Sequence, residues 1–478
     1  MGERPSFVIV LDVKNQNSEL VMLGRRKELS ILRQRDGVEI LGFAMVFLPV
    51  LLMMLDGAFT NVSFDVNWWG LLNRISALAG TALLLVHIAL VSRIPWVERV
   101  IGLDKMTAAH RKLGKPVLYL LAAHAASASL EYAMRAGVAP IDALIYLVAD
   151  FWTVLLALIG LALMIAVVIS SIRITRRRLS YEAWYLVHLT SYIAILLTIP
   201  HQFELGTDFL AQPLVTSYFT FLYVFVFSNL LWYRILQPVI FSAVSSLRVS
   251  KVVPEANQTT SITISGKRLA SLGAEAGQFF MLRVLTPSQW WRPHPFSVSQ
   301  APGSEIRFTV GNRGDDTALL QRIPVGTKVI LEGPYGVFSE SKRSRQYVTL
   351  IAAGIGVAPI RALAESLAAE PGDVTVVYRV LNDDQAALLQ EVVRISAERG
   401  HVLHILRGPR ANGGGFLPED FADVPARPDY VRLLELAPLL LESDIYICGP
   451  SQWSKLVRDA VTRLGAQSNQ IHIEEFAW

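Results

Sequence analysis

Hydrophobic positions along this chain fall into two regimes. Up to about residue 236 they form long runs, near residues 38–55, 69–92, 115–132, 144–172, 183–200 and 215–236. A membrane-crossing helix takes about 17–25 such residues, so the first half predicts a membrane all-α six-helix bundle. Beyond about residue 245 the runs shorten. β-Branched stretches such as SITISG, QFFMLRV, HPFSVSQ, IRFTVG and KVILEG alternate there with Gly and Pro, as in a small antiparallel β-barrel. From about residue 345 strands alternate with helices: YVTLIAAG leads into IRALAESLAAE, and VTVVYRV and IYICGP follow, the pattern of an α/β domain with a parallel sheet. The predicted organisation is a polar segment 1–37, a transmembrane domain 38–236, a β-barrel domain 245–340 and an α/β domain 345–478.

Basic residues orient the spans. Arg25, Arg26, Lys27, Arg33 and Arg35 precede the first; Arg93, Arg99, Lys105, Arg111 and Lys112 lie between the second and third; Arg173, Arg176, Arg177 and Arg178 lie between the fourth and fifth. The alternate loops hold only Arg135. By the positive-inside rule both termini are cytoplasmic, and the chain is expected in the plasma membrane as a multi-pass protein. The first 35 residues are polar and do not read as a cleaved signal peptide.

Composition narrows the chemistry. Of 478 residues 52% are hydrophobic and 18% charged, and a net charge of +4 gives no reason to expect a nucleic-acid partner. The single cysteine, Cys448, excludes structural disulfides, cysteine-ligated iron–sulfur clusters, zinc knuckles and a C-x-x-C-H attachment site for covalent haem.

Four histidines in the apolar half are spaced in pairs: His110 and His124, fourteen apart, then His188 and His201, thirteen apart. Ionisable groups within spans are functional candidates by default, although a lone histidine there also reads as a polar core residue bonded to a carbonyl. Fourteen residues of helix rise about 21 Å and return nearly to the same face. Two facing helices so equipped could hold two non-covalent b haems, one near each membrane surface, each clamped by one imidazole from either helix. Thirteen residues land off the starting face, and Pro200, just before His201, is the expected source of a kink. The orientation pairs His110 with His188 on the cytoplasmic side and His124 with His201 on the outer side. His87 has no such partner and reads as a packing or hydrogen-bonding residue. Arg74 reads either as a partner for a haem propionate or as a side chain snorkelling to the outer surface.

In the second half, Arg292-Pro-His294-Pro295-Phe296-Ser297 ends a strand with a ring and a hydroxyl, which could face a flavin and its N5 region, with Arg292 for the pyrophosphate. The plainer reading is a strand with a Pro bend. The glycines of residues 311–317, and Gly333 and Gly336 in GPYG, offer backbone donors to a phosphate. Gly354-Ile-Gly356-Val-Ala-Pro359 sits at a strand-to-helix turn, where a dinucleotide pyrophosphate can approach the helix N-terminus. Arg379 and Cys448-Gly449-Pro450 fall at strand C-terminal ends, where doubly wound sheets bind ligands. Arg379 is placed to meet a 2′-phosphate, favouring NADPH over NADH; the alternative is a surface ion pair with Asp383 or Asp384.

Taken together these segments resemble the NADPH oxidase and ferric reductase superfamily over roughly residues 40–478. The resemblance rests on His110-x13-His124 and His188-x12-His201 in a six-helix ferric-reductase-like domain, on His294-Pro-Phe-Ser297 as the flavin motif, on Gly354-Ile-Gly-Val-Ala-Pro359 as the nicotinamide-nucleotide motif, and on Cys448-Gly-Pro450. It implies FAD, two haems b and NADPH (NADH as the alternative) as cofactors. It places Cys448 and a late aromatic, Trp478 or Phe476, where hydride is transferred, the aromatic covering the flavin; simple packing is the other reading for Trp478. Calcium-binding hands and a proline-rich partner motif are not evident.

The function implied is electron transfer from cytoplasmic NADPH across the bilayer to an outer acceptor. Oxygen, giving superoxide, leads; a ferric chelate is second, and the alternative of another class is a metal or haem transport module served by an attached reductase.

Overall fold

The computed structural model describes residues 33–56, 66–172, 178–256, 258–409, 415–418 and 428–475. The chain divides into two compact units, one of residues 34–234 and one built mainly from residue 235 onward.

The first unit is helical. Helices α1 (Arg33–Leu55), α2 (Val66–Ala89), α3 (Leu103–Ala136), α4 (Pro140–Asp150), α5 (Trp152–Ser171), α6 (Tyr181–Leu205) and α7 (Pro213–Val244) follow in order. Five are long and apolar enough to cross a membrane, or six if the bent pair α3–α4 counts as one. Leu78, Ala82, Leu85, Val117, Ala194, Ile195 and Phe219 fill the interior. Large apolar side chains such as Phe43, Leu55, Trp152, Leu186, Leu214 and Phe221 are exposed, which suits a bundle whose surroundings are hydrocarbon. Close helix contact uses small residues: a Cβ on Gly160 of α5 would come 2.7 Å from the Ala194 carbonyl oxygen of α6.

Two span boundaries differ from expectation. Helix α3 runs 34 residues, well beyond residues 115–132, and is bracketed by Gly102 and by left-handed Gly137, whose N–H caps the Ala133 carbonyl. The expected span 144–172 is broken at Phe151, which is extended (φ −129°, ψ 100°). The segment before the break, α4, turns 97° from α3. Pro140 starts α4 after an extended Ala139, and Asp142 and Asp150 are both exposed, so α4 fits an interfacial helix better than a crossing one.

The second unit is built on sheets. Strands β1 (Arg248–Pro254), β2 (Thr259–Ser265) and β5 (Glu305–Gly311) form one antiparallel sheet; β3 (Phe279–Val284), β4 (His294–Ser297) and β6 (Val329–Tyr335) form another, ordered β4-β3-β6. Among the described residues the ladders make two three-stranded sheets rather than one continuous barrel sheet. Single bridges, Arg248 to Lys328 and Val298 to Phe308, join the sheets around a core of Ile262, Phe280, Leu282, Phe308 and Leu331. Strands β7 (Tyr347–Ala353), β8 (Val374–Val380), β9 (Val402–Arg407), β10 (Ser443–Gly449) and β11 (Ile471–Glu475) make a parallel sheet ordered β11-β10-β7-β8-β9. Its central strands are buried along their length, as parallel strands covered on both faces should be. Arg307 of β5 and Arg361 both grip Glu391 (2.8 and 2.7 Å), tying the antiparallel part to the helices on the parallel sheet.

Candidate functional site

Helices α3 and α6 bring the four histidines together in the expected pairs. The ring centroids of His110 and His188 lie 6.1 Å apart, and those of His124 and His201 lie 6.2 Å apart. Two imidazoles gripping one metal from opposite sides through bonds of about 2.0–2.1 Å have ring centres about 6.3 Å apart. Pro200 lies inside the uninterrupted helix α6, and His201 still reaches its partner. No group of three or more His, Cys, Asp or Glu side chains suited to a metal occurs among the described residues. A donor set of exactly two imidazoles per site suits an ion whose remaining ligands come from a macrocycle, as in haem.

The ring nitrogens agree with that use. His110 Nδ1 donates to the His87 carbonyl oxygen at 3.0 Å, and His124 Nδ1 lies 2.7 Å from Asn73 Oδ1, which leaves Nε2 on each for a metal. His188 Nδ1 is buried without a hydrogen-bond partner, whereas His201 has the Thr198 backbone beside it. Burying an unsatisfied polar atom costs about 1–3 kcal/mol, so the His188 ring fits a site whose remaining partner is not protein. His87 has the hydrogen-bonding role expected: it stacks on His110 at 3.7 Å and donates Nε2 to the His110 carbonyl at 2.9 Å. Arg74 has a protein partner that neither sequence reading named. Its guanidinium forks onto buried Asp208 (Nε–Oδ2 3.0 Å, Nη2–Oδ1 2.5 Å), a pairing 134 residues apart that local sequence does not signal.

In the second unit, β4 pairs with β3 so that His294 faces Leu282 and Phe296 faces Phe280. His294 and Phe296, two apart on the strand, share a face with rings 6.1 Å apart and nearly parallel, and Pro295 points the other way. His294 Nε2 and Ser297 Oγ are buried without a hydrogen-bond partner, polar atoms suited to a planar heteroaromatic ligand. Burial holds the His294 imidazole below its ordinary pKa, opposed by nearby Asp316 and aided by Arg292. Arg292, expected at a pyrophosphate, is ion-paired with Asp316 and lies over the Trp291 ring, so a phosphate there would compete with a carboxylate. Gly333 near the end of β6 and Gly336 just after it pack closely against Phe280 and Phe279, a packing role the phosphate-donor reading did not foresee.

The parallel sheet assembles the third part. Strand β7 ends in the 3-10 turn Gly354–Gly356, which opens the helix Val357–Ser366 with Pro359 buried in its first turn. A Cβ on Gly356 would come 2.2 Å from the Cys448 carbonyl oxygen, so only glycine lets this turn approach β10. Strand β10 ends at Gly449, and Pro450 leads into the helix Ser451–Arg463. Parallel register sets Ala353 beside Arg379 and Ala352 beside Cys448, so these positions share the C-terminal edge of the sheet. A cavity of about 300 Å³ opens there, lined by Ala353, Arg379, Pro450, Ser451, Gln452 and Trp453. Sequence reasoning missed Ser451, Gln452 and Trp453, although their place at a helix start directly after Cys-Gly-Pro was available as a signal. Arg379 Nη2 donates to the Gly408 carbonyl at 3.0 Å, and Asp383 is paired with Arg407 at 2.7 Å. The Cys448 side chain is fully buried in the core, and burial together with Glu474 pushes the thiol well above its ordinary pKa. Trp478 and Phe476 lie outside the described residues.

Comparison with known proteins adds the relationships. A family model described as "Ferric reductase like transmembrane component" matches residues 76–199, which include His110, His124 and His188 and stop two residues short of His201. The ferredoxin reductase component of 3-ketosteroid-9-alpha-monooxygenase from Mycolicibacterium smegmatis is 27% identical over 253 residues, 49% of this chain and 66% of that protein. A flavohemoprotein from Vibrio cholerae is 27% identical over 237 residues, covering 47% and 57%. Among solved structures, the flavohem-like FAD/NAD binding domain of nitric oxide dioxygenase from Vibrio cholerae is 23% identical, covering 48% of this chain and 98% of that one with a TM-score of 0.39. The chain spans 54–66% of the length of the curated relatives it matches. The chain is thus similar to a ferric-reductase-like transmembrane component over residues 76–199 and, over 49% and 47% of its length, to a ferredoxin reductase component and a flavohemoprotein.

Proposed function

We propose that the protein is a transmembrane oxidoreductase that moves electrons from cytoplasmic NADPH, by way of FAD and two b haems, to an acceptor on the outer side of the plasma membrane. The observation that carries this reading is the double pairing of His110 with His188 and His124 with His201 at the separation a clamped iron requires. Flavin supplies the conversion of a two-electron hydride into single electrons, and haem supplies one-electron carriers within the bilayer.

The chain's own residues do the rest. Arg379, Ser451 and Gln452 line the cavity that would bind and orient the nucleotide, with the two helix N-termini beside it favouring its phosphates. His294, Phe296 and Ser297 present a stacked pair and a hydroxyl to the flavin, and burial keeps His294 neutral. The two α3 histidines are locked in one tautomer by their Nδ1 partners, and the apolar interior of α2–α7 excludes water around them.

His110 with His188, and His124 with His201, would each supply both protein ligands of a haem, which would then serve as an electron carrier rather than as a binding site for the acceptor. Oxygen, yielding superoxide, is the acceptor we assign; a ferric chelate is the second reading, favoured by the family description of residues 76–199. Protein reconstituted in sealed vesicles tests the assignment. NADPH supplied on the flavin side should generate superoxide on the opposite side, trapped by an impermeant probe. Reduction of an enclosed ferric chelate with no superoxide would favour the second reading, and haem-free protein in which neither acceptor is reduced would point to a transport module.

A further inference from the structure

The outer histidine pair is held by a chain of polar contacts that the proposed reaction does not itself call for. His124 Nδ1 lies 2.7 Å from Asn73 Oδ1, and Asn73 Nδ2 donates to Glu131 Oε2 at 3.1 Å. The other carboxylate oxygen, Glu131 Oε1, receives Arg135 through Nε at 3.1 Å and Nη2 at 2.9 Å. Gly70, three residues before Asn73 on α2, makes the room: a Cβ there would come 2.8 Å from Glu131 Oε1. Arg135 is the basic residue that stood alone in the outer loops of the sequence.

The chemistry sets the direction of every bond in this chain. A carboxylate only accepts, so the Asn73 amide must turn its nitrogen to Glu131. Its oxygen then faces His124 and also only accepts, so Nδ1 of the imidazole must carry the proton. That leaves the lone pair on Nε2, the atom available to a metal. The inner pair is built differently, because His110 Nδ1 donates to a backbone carbonyl, that of His87. Only the outer ligand is therefore set by exchangeable side chains.

We propose that Asn73 is the positioning residue for the outer haem ligand His124, oriented in turn by Glu131 and Arg135, and that this chain of bonds makes the imidazole more basic and the outer centre more strongly reducing. A partner on the second ring nitrogen orients a metal-bound histidine and raises its basicity, which stabilises iron(III) over iron(II). One-electron reduction of oxygen demands such a reducing centre. The inference rests on the two-haem reading and deepens it.

Redox titration of the purified full-length protein, followed by absorption in the visible bands, is the test. Asn73→Leu should shift the outer midpoint upward by about 60 mV, a tenfold change in iron(III) preference at 59 mV per decade for a one-electron couple, with the inner midpoint unmoved. Glu131→Gln should shift the outer midpoint in the same direction by less, and should add nothing in the Asn73→Leu background because it acts through the amide. Additive shifts would mean that Glu131 acts by its own charge and would overturn the relay. Should Asn73→Leu lose haem, Glu131→Gln decides alone, and an unmoved outer midpoint overturns the proposal. Two haems with unmoved potentials defeat the Asn73 assignment only, whereas absence of haem from the unsubstituted protein defeats the two-haem reading itself.

Discussion

Replacing Arg379 with alanine probes the nucleotide site at its most discriminating point. The side chain leaves β8 at the C-terminal edge of the parallel sheet and lines the 300 Å³ cavity beside Ser451 and Gln452, steadied by the Gly408 carbonyl. NADPH differs from NADH only by a 2′-phosphate, so a guanidinium that contacts that group should matter for one nucleotide and not the other. A hydrogen bond to a charged partner contributes about 1.5–3 kcal/mol, and each 1.4 kcal/mol is tenfold. Arg379→Ala should therefore raise the apparent KM for NADPH roughly 10- to 150-fold while NADH changes about twofold or less. Anaerobic stopped-flow reduction of the flavin by each nucleotide measures this without involving the final acceptor. Thermal stability should hardly change, because the side chain is only partly buried. Equal losses for both nucleotides would refute the 2′-phosphate contact and leave Arg379 as a strand-end residue bonded to Gly408.

Gly356→Ala should act differently, weakening both nucleotides alike and lowering stability by about 1–3 kcal/mol, the usual cost of overpacking, because the added carbon would sit 2.2 Å from the Cys448 carbonyl; a variant with unchanged melting and unchanged KM values would show that the turn yields freely. A pH effect is expected from His294, whose pKa burial lowers in the folded protein. Below the ordinary histidine value of about 6.5 the unfolded chain takes up a proton that the folded site refuses, so stability should be constant above that pH and fall below it. Flavin release on heating, followed by fluorescence between pH 5 and 8, should show this decline, and His294→Phe should lessen it; His401, also lowered by burial, keeps part of it. An identical decline in the variant would remove His294 from the account.

Periodic and local features of this protein were legible before the structure. The strand punctuation and the Gly354–Pro359 turn depend on residues near in sequence and emerged where expected, and the long apolar runs became helices with two boundaries moved. The histidine spacing was readable because one helix carries each pair, and the facing helices then had only to pack. Features made by distant residues were not legible. The Arg74–Asp208 fork joins positions 134 apart, and the Asn73 bond to His124 spans 51; no local pattern selects such partners. The break at Phe151 escaped a hydropathy reading because both flanking segments are apolar, and only Pro140 with Asp142 and Asp150 hinted at it. The burial of Cys448 was not legible either, because its motif reports a place at a strand end and says nothing of whether the thiol points into the core.

The central claim is that two histidine pairs hold two irons, and a haem count on the purified protein tests it most directly. Pyridine haemochrome and dithionite-reduced difference spectra should show two b-type haems per chain, both low-spin because each iron has two imidazoles. His124→Leu or His201→Leu should halve the haem and leave the inner pair, whose centroids stand 6.1 Å apart, largely occupied. Protein isolated under haem-replete conditions with one haem per chain, or none, would contradict the account.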